Sequence, residues 1–239
     1  MLNNLDIGLG SGNVVGRVGG GSASDTPSNL LLHMDGADES TTFTDSGTAT
    51  SAHTLTANGT AQVDTAQKVF GTGSLINAGA DTDFISTPYS ADWDFGTGDF
   101  TIDWRMRFNA LGVFNEPFVF NAYDPGWLYQ YTHNNGGSYQ HEFYINGNLF
   151  TVTKTLAINT WYHIAVVRKA GVLYVFQDGT LEDSGAFAFD VAVGSGDLKI
   201  GYGNLAGNGF NGWIDEFRVI KGSAEWTETF TPPTEAYNA

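Results

Sequence analysis

Phe100-Thr101-Ile102-Asp103-Trp104-Arg105-Met106-Arg107-Phe108 alternates apolar and polar residues without a break. A strand turns successive side chains to opposite faces, so Phe100, Ile102, Trp104, Met106 and Phe108 share one face, and Thr101, Asp103, Arg105 and Arg107 share the other. One face is core, and the other is wet or lines a groove. Downstream, Trp161, Ala165 and Val167 oppose Tyr162, Ile164 and Val166, and a strand apolar on both faces belongs near the middle of a packed sheet. Val172 to Gln177 follows, and Asp178-Gly179 supplies a hairpin turn; Asn146-Gly147 marks a similar turn after Phe143 to Ile145. Further strands are expected at residues 29–34, 62–63, 74–77, 84–86, 117–121, 127–131, 198–202 and 212–220. No long stretch beyond residue 28 has apolar residues at helical spacing. Many short antiparallel strands in one domain predict an all-β jelly-roll sandwich of two sheets over residues 29–239.

The rest of the composition fits one sizeable core. The chain has 239 residues with 41% hydrophobic, 14% aromatic and 15% charged residues, 31 Gly and no Cys. That excludes disorder, disulfide scaffolds, thiol catalysis and cysteine-based zinc sites. Ten Lys and Arg against 26 Asp and Glu give a net charge of -16, which repels phosphate backbones and anionic lipid, so nucleic acid is excluded as a partner. No apolar run reaches the length of a membrane span, so no membrane insertion is expected. Residues 1–21 have no basic start and many glycines, unlike a secretory signal.

Residues 1–28 read as a Gly-rich arm outside the sandwich. Within it Leu5, Ile7 and Leu9 alternate, and Val14, Val15 and Val18 follow. The segment could lie extended with one apolar side against a partner surface, so it is expected to be an assembly arm packed on another chain.

Several phrases carry a family resemblance. They are Leu30-Leu31-Leu32-His33-Met34-Asp35-Gly36, Phe70-Gly71-Thr72-Gly73-Ser74-Leu75 and Gly96-Thr97-Gly98-Asp99-Phe100-Thr101-Ile102. Later come Trp161-Tyr162-His163-Ile164-Ala165-Val166-Val167-Arg168 and Gly212-Trp213-Ile214-Asp215-Glu216-Phe217-Arg218-Val219. Over residues 29–233 their order and content resemble the laminin G-like, concanavalin A-like lectin/glucanase superfamily, in the form found in phage virion proteins and bacterial surface proteins. The resemblance implies the sandwich and leaves function open among lectins, glycosidases and structural modules.

Glycosidase chemistry is not expected. The glucanase branch carries Glu-x-Asp-x-x-Glu on one strand, and retaining cleavage needs two carboxylates about 5 Å apart. Here the nearest string is Asp215-Glu216, and adjacent strand residues face opposite sides. Glu142 has no acidic residue two or four positions away, and Asp81 with Asp83 has no third carboxylate in register. His33, His53, His133, His141 and His163 form no metal-binding spacing, and no Ser sits in a nucleophile elbow.

Two binding sites are candidates. Asp215 is a carboxylate among apolar residues, reading onto one face with Trp213, Phe217 and Val219. The resemblance implies neighbouring first and last strands, so Asp35 and Asp215 could share a structural Ca²⁺; alternatively Asp215 caps loop amides or pairs with an Arg such as Arg105. For glycans, Trp127, Tyr131, His133, Asn134 and Tyr139 combine rings that stack on sugar C–H faces with polar groups for hydroxyls. His163 is expected to be a satisfied core histidine. The expected role is a non-enzymatic phage virion subunit, a capsid decoration or fibre protein made in the host cytoplasm and acting on the particle. Its expected partners are other virion subunits, further copies of itself and host surface glycans. The alternative is an extracellular or cell-surface adhesin.

Overall fold

The computed structural model describes residues 26–112, 114–120, 128–135, 138–145, 148–191, 194–203 and 207–239. The assembly-arm residues Leu5, Ile7, Leu9, Val14, Val15 and Val18 lie outside them. The strands are β1 (Leu30–Leu32), β2 (Thr56–Asn58), β3 (Gln62–Asp64), β4 (Ser74–Ala78), β5 (Phe84–Thr87), β6 (Phe100–Phe108), β7 (Phe114–Phe120) and β8 (Leu128–Asn135). They continue as β9 (Ser138–Ile145), β10 (Asn148–Lys154), β11 (Trp161–Lys169), β12 (Val172–Gln177), β13 (Thr180–Ala186), β14 (Leu198–Ile200) and β15 (Asn211–Lys221).

They form two antiparallel sheets, as expected. The eight-stranded sheet runs β13-β12-β11-β6-β15-β4-β3, and the seven-stranded sheet runs β10-β9-β8-β7-β14-β5-β2. β1 joins the first sheet on the edge of β15 that β4 also uses, with Leu30 opposite Val219 while β4 pairs with residues 211–214. The first and last strands are therefore neighbours.

The alternation of β6 sets the core: Phe100, Ile102, Trp104, Met106 and Phe108 are all 0% exposed. Trp104 packs edge-on against Phe118 of the facing sheet at 4.9 Å, and Phe217 meets Phe118 at 5.5 Å. Such aromatic pairs add to the burial energy through their quadrupoles. On β11, Tyr162, Ile164 and Val166 join this core. Its other face is also covered, because Ala165 and Val167 pack with Phe176, Trp226 and Phe230. The segment after β15 thus forms a third layer over the eight-stranded sheet, with Trp226 and Phe230 stacked at 4.0 Å.

One feature of β15 departs from simple alternation. Its register with β6 runs Asp215 to Arg105 and then Arg218 to Asp103, so Glu216 and Phe217 together oppose Trp104. This is a β-bulge, and Glu216 takes φ 50°. The inserted residue reverses the facing of every later position on the strand: Phe217 and Val219 enter the core, while Asp215 and Arg218 lie on the other side with Trp213. The expected grouping of Asp215 with Phe217 and Val219 is corrected accordingly.

Candidate functional site

The bulge gathers a cluster of charges. His33 Nδ1 and Glu216 Oε1 are 2.8 Å apart, and Glu216 Oε2 accepts from the Tyr237 backbone N–H at 3.1 Å. Asp215 Oδ2 accepts from the amides of Val69 and Phe70 at 2.7 and 3.2 Å. Asp35 Oδ1 accepts from the Thr72 amide, the Thr72 hydroxyl and the Gly73 amide. Asp35 and Asp215 therefore hold the Phe70-Gly71-Thr72-Gly73 turn from its two ends. A Cβ on Gly71 would come within 2.2 Å of Asp35 Oδ1, and Gly71 has φ +58°, which explains the glycine in that phrase.

This is the loop-capping role anticipated for Asp215. Arg105 stands opposite it in register, but its guanidinium donates to the Pro233 carbonyl. Burial, reinforced by the charge of Glu216, pushes the Asp215 carboxyl up to about 7 despite the backbone amides of Val69, Phe70 and Glu216. The other oxygen, Oδ1, is buried and has no partner. For His33, the Glu216 bond outweighs burial and raises the imidazole above its ordinary value. Beside these groups an open cleft of about 200 Å³ is lined by His33, Met34, Asp35, Thr44 and Ser46, with no Phe, Tyr or Trp among them. Asp215 and Glu216 are 0% and 1% exposed. Neither can reach a polysaccharide.

A second buried network underlies the third layer. Asp103 Oδ1 accepts from Arg218 Nε at 2.8 Å, and Oδ2 meets His163 Nε2 at 3.2 Å and the Tyr237 hydroxyl. Burial alone would push the Asp103 carboxyl up, but Arg218, His163 and Tyr237 outweigh it and hold it below its usual value. Burial lowers the His163 imidazole in spite of Asp103. Arg218 is sandwiched by rings, 3.7 Å from the centroid of Tyr237 and 5.6 Å from that of Trp226. His163 is the buried core histidine expected, but it is only half satisfied: Nε2 meets Asp103, while Nδ1 is buried without a hydrogen-bond partner.

Of the expected glycan residues, Trp127 lies outside the described residues. Tyr131 and His133 sit on β8 opposite Glu142 and Gln140 of β9, and Asn134 pairs in register with Tyr139. All four belong to the seven-stranded sheet. Two strands away, that sheet carries a constellation the sequence reading missed. Phe84 of β5 and Tyr202, just after β14, meet edge to face at 5.0 Å. Lys199 Nζ lies 4.2 Å from the Tyr202 ring centroid and 5.3 Å from that of Phe84. All three side chains are half-buried. Phe84 and Lys199 sit on the outer face, since their strand neighbours Ile85, Leu198 and Ile200 belong to the core, and Tyr202 joins them there through its contact with Phe84. Asn58 Nδ2 donates to Ser86 Oγ at 3.2 Å beside them. Cross-strand pairing continues the row from Ser86 to Lys199, Val119, Tyr129 and Tyr144. Phe84 was legible as the polar-side residue of a short strand, and Lys199 as a lysine between two core residues. Their meeting was not legible, because β5 and β14 are more than a hundred residues apart.

Among the described residues no group of three or more His, Asp or Glu is placed to hold a metal ion. The geometry defines a lectin-like two-sheet sandwich whose acidic groups near the bulge are engaged in holding loops. The sequence profile of the concanavalin A-like lectin/glucanases superfamily, in its laminin G form, matches residues 77–228, and the chain belongs to that superfamily. No curated protein sequence matches the chain. Among solved structures it is similar to domain 4 of AbnA, a GH43 extracellular arabinanase from Geobacillus stearothermophilus in complex with arabinotriose. That likeness has a TM-score of 0.60 at 18% identity, covering 83% of this chain and 94% of that one. It is also similar to the binding domain of Paraclostridial Mosquitocidal Protein 1, with TM-score 0.57 and 16% identity over 82% of this chain and 48% of that one. The receptor binding domain of a botulinum neurotoxin C/D mosaic serotype gives TM-score 0.56 and 13% identity over 82% and 48%. The chain spans about half the length of these last two. At such identities the likeness establishes the fold.

Proposed function

We propose that the chain is a non-catalytic recognition domain that binds glycans on the outer face of its seven-stranded sheet. The observation that carries this reading is the half-buried Phe84–Tyr202 pair on that face, with Asn58, Ser86 and Lys199 beside it. Sugar rings stack their C–H faces on such rings, and amides and hydroxyls fix their orientation. Similarity to a domain crystallised with arabinotriose and to receptor-binding domains supports the same class. Glycan-array binding by the full chain, lost in Phe84→Ala/Tyr202→Ala at unchanged melting temperature, is the expected result. Equal binding by both proteins would rule out this face. Reducing-end assays on glucans, galactans and arabinans should stay at background, and turnover abolished by Glu216→Gln would overturn the non-catalytic reading.

The finer placement, on a phage particle as a capsid decoration or fibre subunit, is supported by the composition of residues 1–28 and their alternating Leu5, Ile7 and Leu9. In this reading the arm packs on other virion subunits or on further copies of the chain. Deleting residues 1–28 should abolish particle binding while the sandwich melts as before. A truncated protein that still assembles refutes the anchoring role.

A further inference from the structure

Lys199 stands apart in its surroundings. Every other described Lys or Arg has an oxygen partner. Lys154, Lys169 and Arg218 pair with Glu182, Asp99 and Asp103. Lys68 and Lys221 donate to the carbonyls of Thr65 and Ala91, Arg105 to Pro233, Arg107 to Asn159, and Arg168 to Gly98. Among the described lysines and arginines, Lys199 alone has rings and no oxygen as the partners of its charged group. In a chain with 26 acidic residues against 10 basic ones, chance placement would readily give it a carboxylate. Instead its ammonium is held over Tyr202 and Phe84 on the outer face of the sheet, where all three side chains are partly exposed. Ring contacts fix the position of a cation without neutralising it, so its charge remains available to an arriving anion.

Resting on the glycan-binding reading above, we infer that this face selects anionic sugars, those carrying a carboxylate or a sulfate, with Lys199 as the anion contact and Tyr202 and Phe84 as the stacking surface. The ring contacts already restrain the ammonium, so less side-chain entropy is lost when the anion arrives. A charge-assisted hydrogen bond of this kind contributes about 1.5–3 kcal/mol, which corresponds to roughly tenfold or more in affinity. General acidity works the other way. A surface at -16 repels anions, so added salt should reduce that background while also screening the specific contact.

The test is calorimetric titration of the full chain with trigalacturonic acid, with neutral galactotriose and with a sulfated galactose trimer. The native chain should bind at least one of the two anionic trimers about tenfold or more tighter than galactotriose. Lys199→Met, which keeps the stem over the rings and removes the charge, should bind neither anionic trimer tighter than galactotriose. Tyr202→Ala should weaken every trimer. Which anionic trimer gains identifies carboxylate or sulfate as the group recognised. An anion preference that persists in Lys199→Met overturns the inference, as does equal binding of all three by the native chain. In the latter case, binding that Tyr202→Ala removes leaves the glycan-binding reading standing. If no glycan on an array or in titration binds, both readings fall together.

Discussion

Replacing Asp215 by Asn should change how stability depends on pH. Asp215 titrates at about 7 in the fold, against 3.8 for the free side chain. In the unfolded chain the carboxyl has therefore lost its proton above about pH 4, while in the fold it keeps it until about pH 7. Unfolding in that window releases a proton, so stability falls as pH rises, by about 1.4 kcal/mol per pH unit. Across roughly three units the loss reaches about 4 kcal/mol and is constant above pH 7. Asn mimics the protonated carboxyl: its oxygen can accept from Val69 and Phe70, and it has no charge to desolvate. The variant should match the native chain near pH 4 and exceed it by about 4 kcal/mol above pH 7, a melting difference on the order of 10 °C for this size. Other shifted groups add their own slopes. His163, lowered by burial, acts in the same range with the opposite sign, since the unfolded chain takes up its proton below about pH 6.5 while the fold does not, and stability is lost as pH falls. His33, raised by Glu216, contributes stability present below about pH 6.5 and lost as pH rises through its higher folded value. Asp99 and Asp103, lowered by Lys169 and by Arg218 with His163, contribute above about pH 4 and lose it as pH falls. These groups contribute alike to both proteins, so the difference between native and variant in denaturant unfolding between about pH 4.5 and 6.5 at fixed ionic strength isolates Asp215. Parallel curves there would show that Asp215 is ionised in the fold, and the desolvation argument would be wrong.

Asp103→Asn should cost about 3–5 kcal/mol in denaturant unfolding, because Arg218 is left buried without its counter-charge; a loss below about 1 kcal/mol would mean that the rings of Tyr237 and Trp226 suffice. Gly201→Ala places a Cβ within 1.5 Å of Asn77 Nδ2 at φ +88°, whereas Gly207 has the same φ with nothing within 4 Å. Gly207→Ala should therefore cost about 1–2 kcal/mol for backbone strain alone, and Gly201→Ala clearly more; equal melting temperatures would refute the close approach. Millimolar Ca²⁺ and Na⁺ at matched ionic strength should shift the melt equally, since Asp35 Oδ1 and Asp215 Oδ2 already accept loop amides. An excess response to Ca²⁺ that Asp35→Asn or Asp215→Asn removes would instead establish the ion site read from the sequence.

The strands easiest to read were those buried on at least one face. β6, β11 and β12 present unbroken patterns because each packs against the core along its whole length. The three strands missed, β2, β10 and β13, all lie at sheet edges. β13, Thr-Leu-Glu-Asp-Ser-Gly-Ala, is half-buried or exposed throughout, and an edge strand held mainly by backbone hydrogen bonds need not show an apolar period. The candidate sites followed the same division. Capping of loop amides by Asp215 could be anticipated from a carboxylate in an apolar strand, whereas the Lys199 platform could not.

The sequence alone determined the all-β class, the core face of β6 and the two-sided burial of β11, because side-chain alternation is local and fixes which residues leave water together. It also implied that β1 lies beside β15, through the family resemblance carried by its quoted phrases. Tertiary structure decided what alternation cannot carry. The bulge at Glu216 adds one residue, and one residue reverses every later facing, so Asp215 joined Arg218 rather than Phe217. Pairing of β5 with β14 brought Phe84 to Lys199, a choice of partner made by the packing of the two whole sheets, with no trace in either segment.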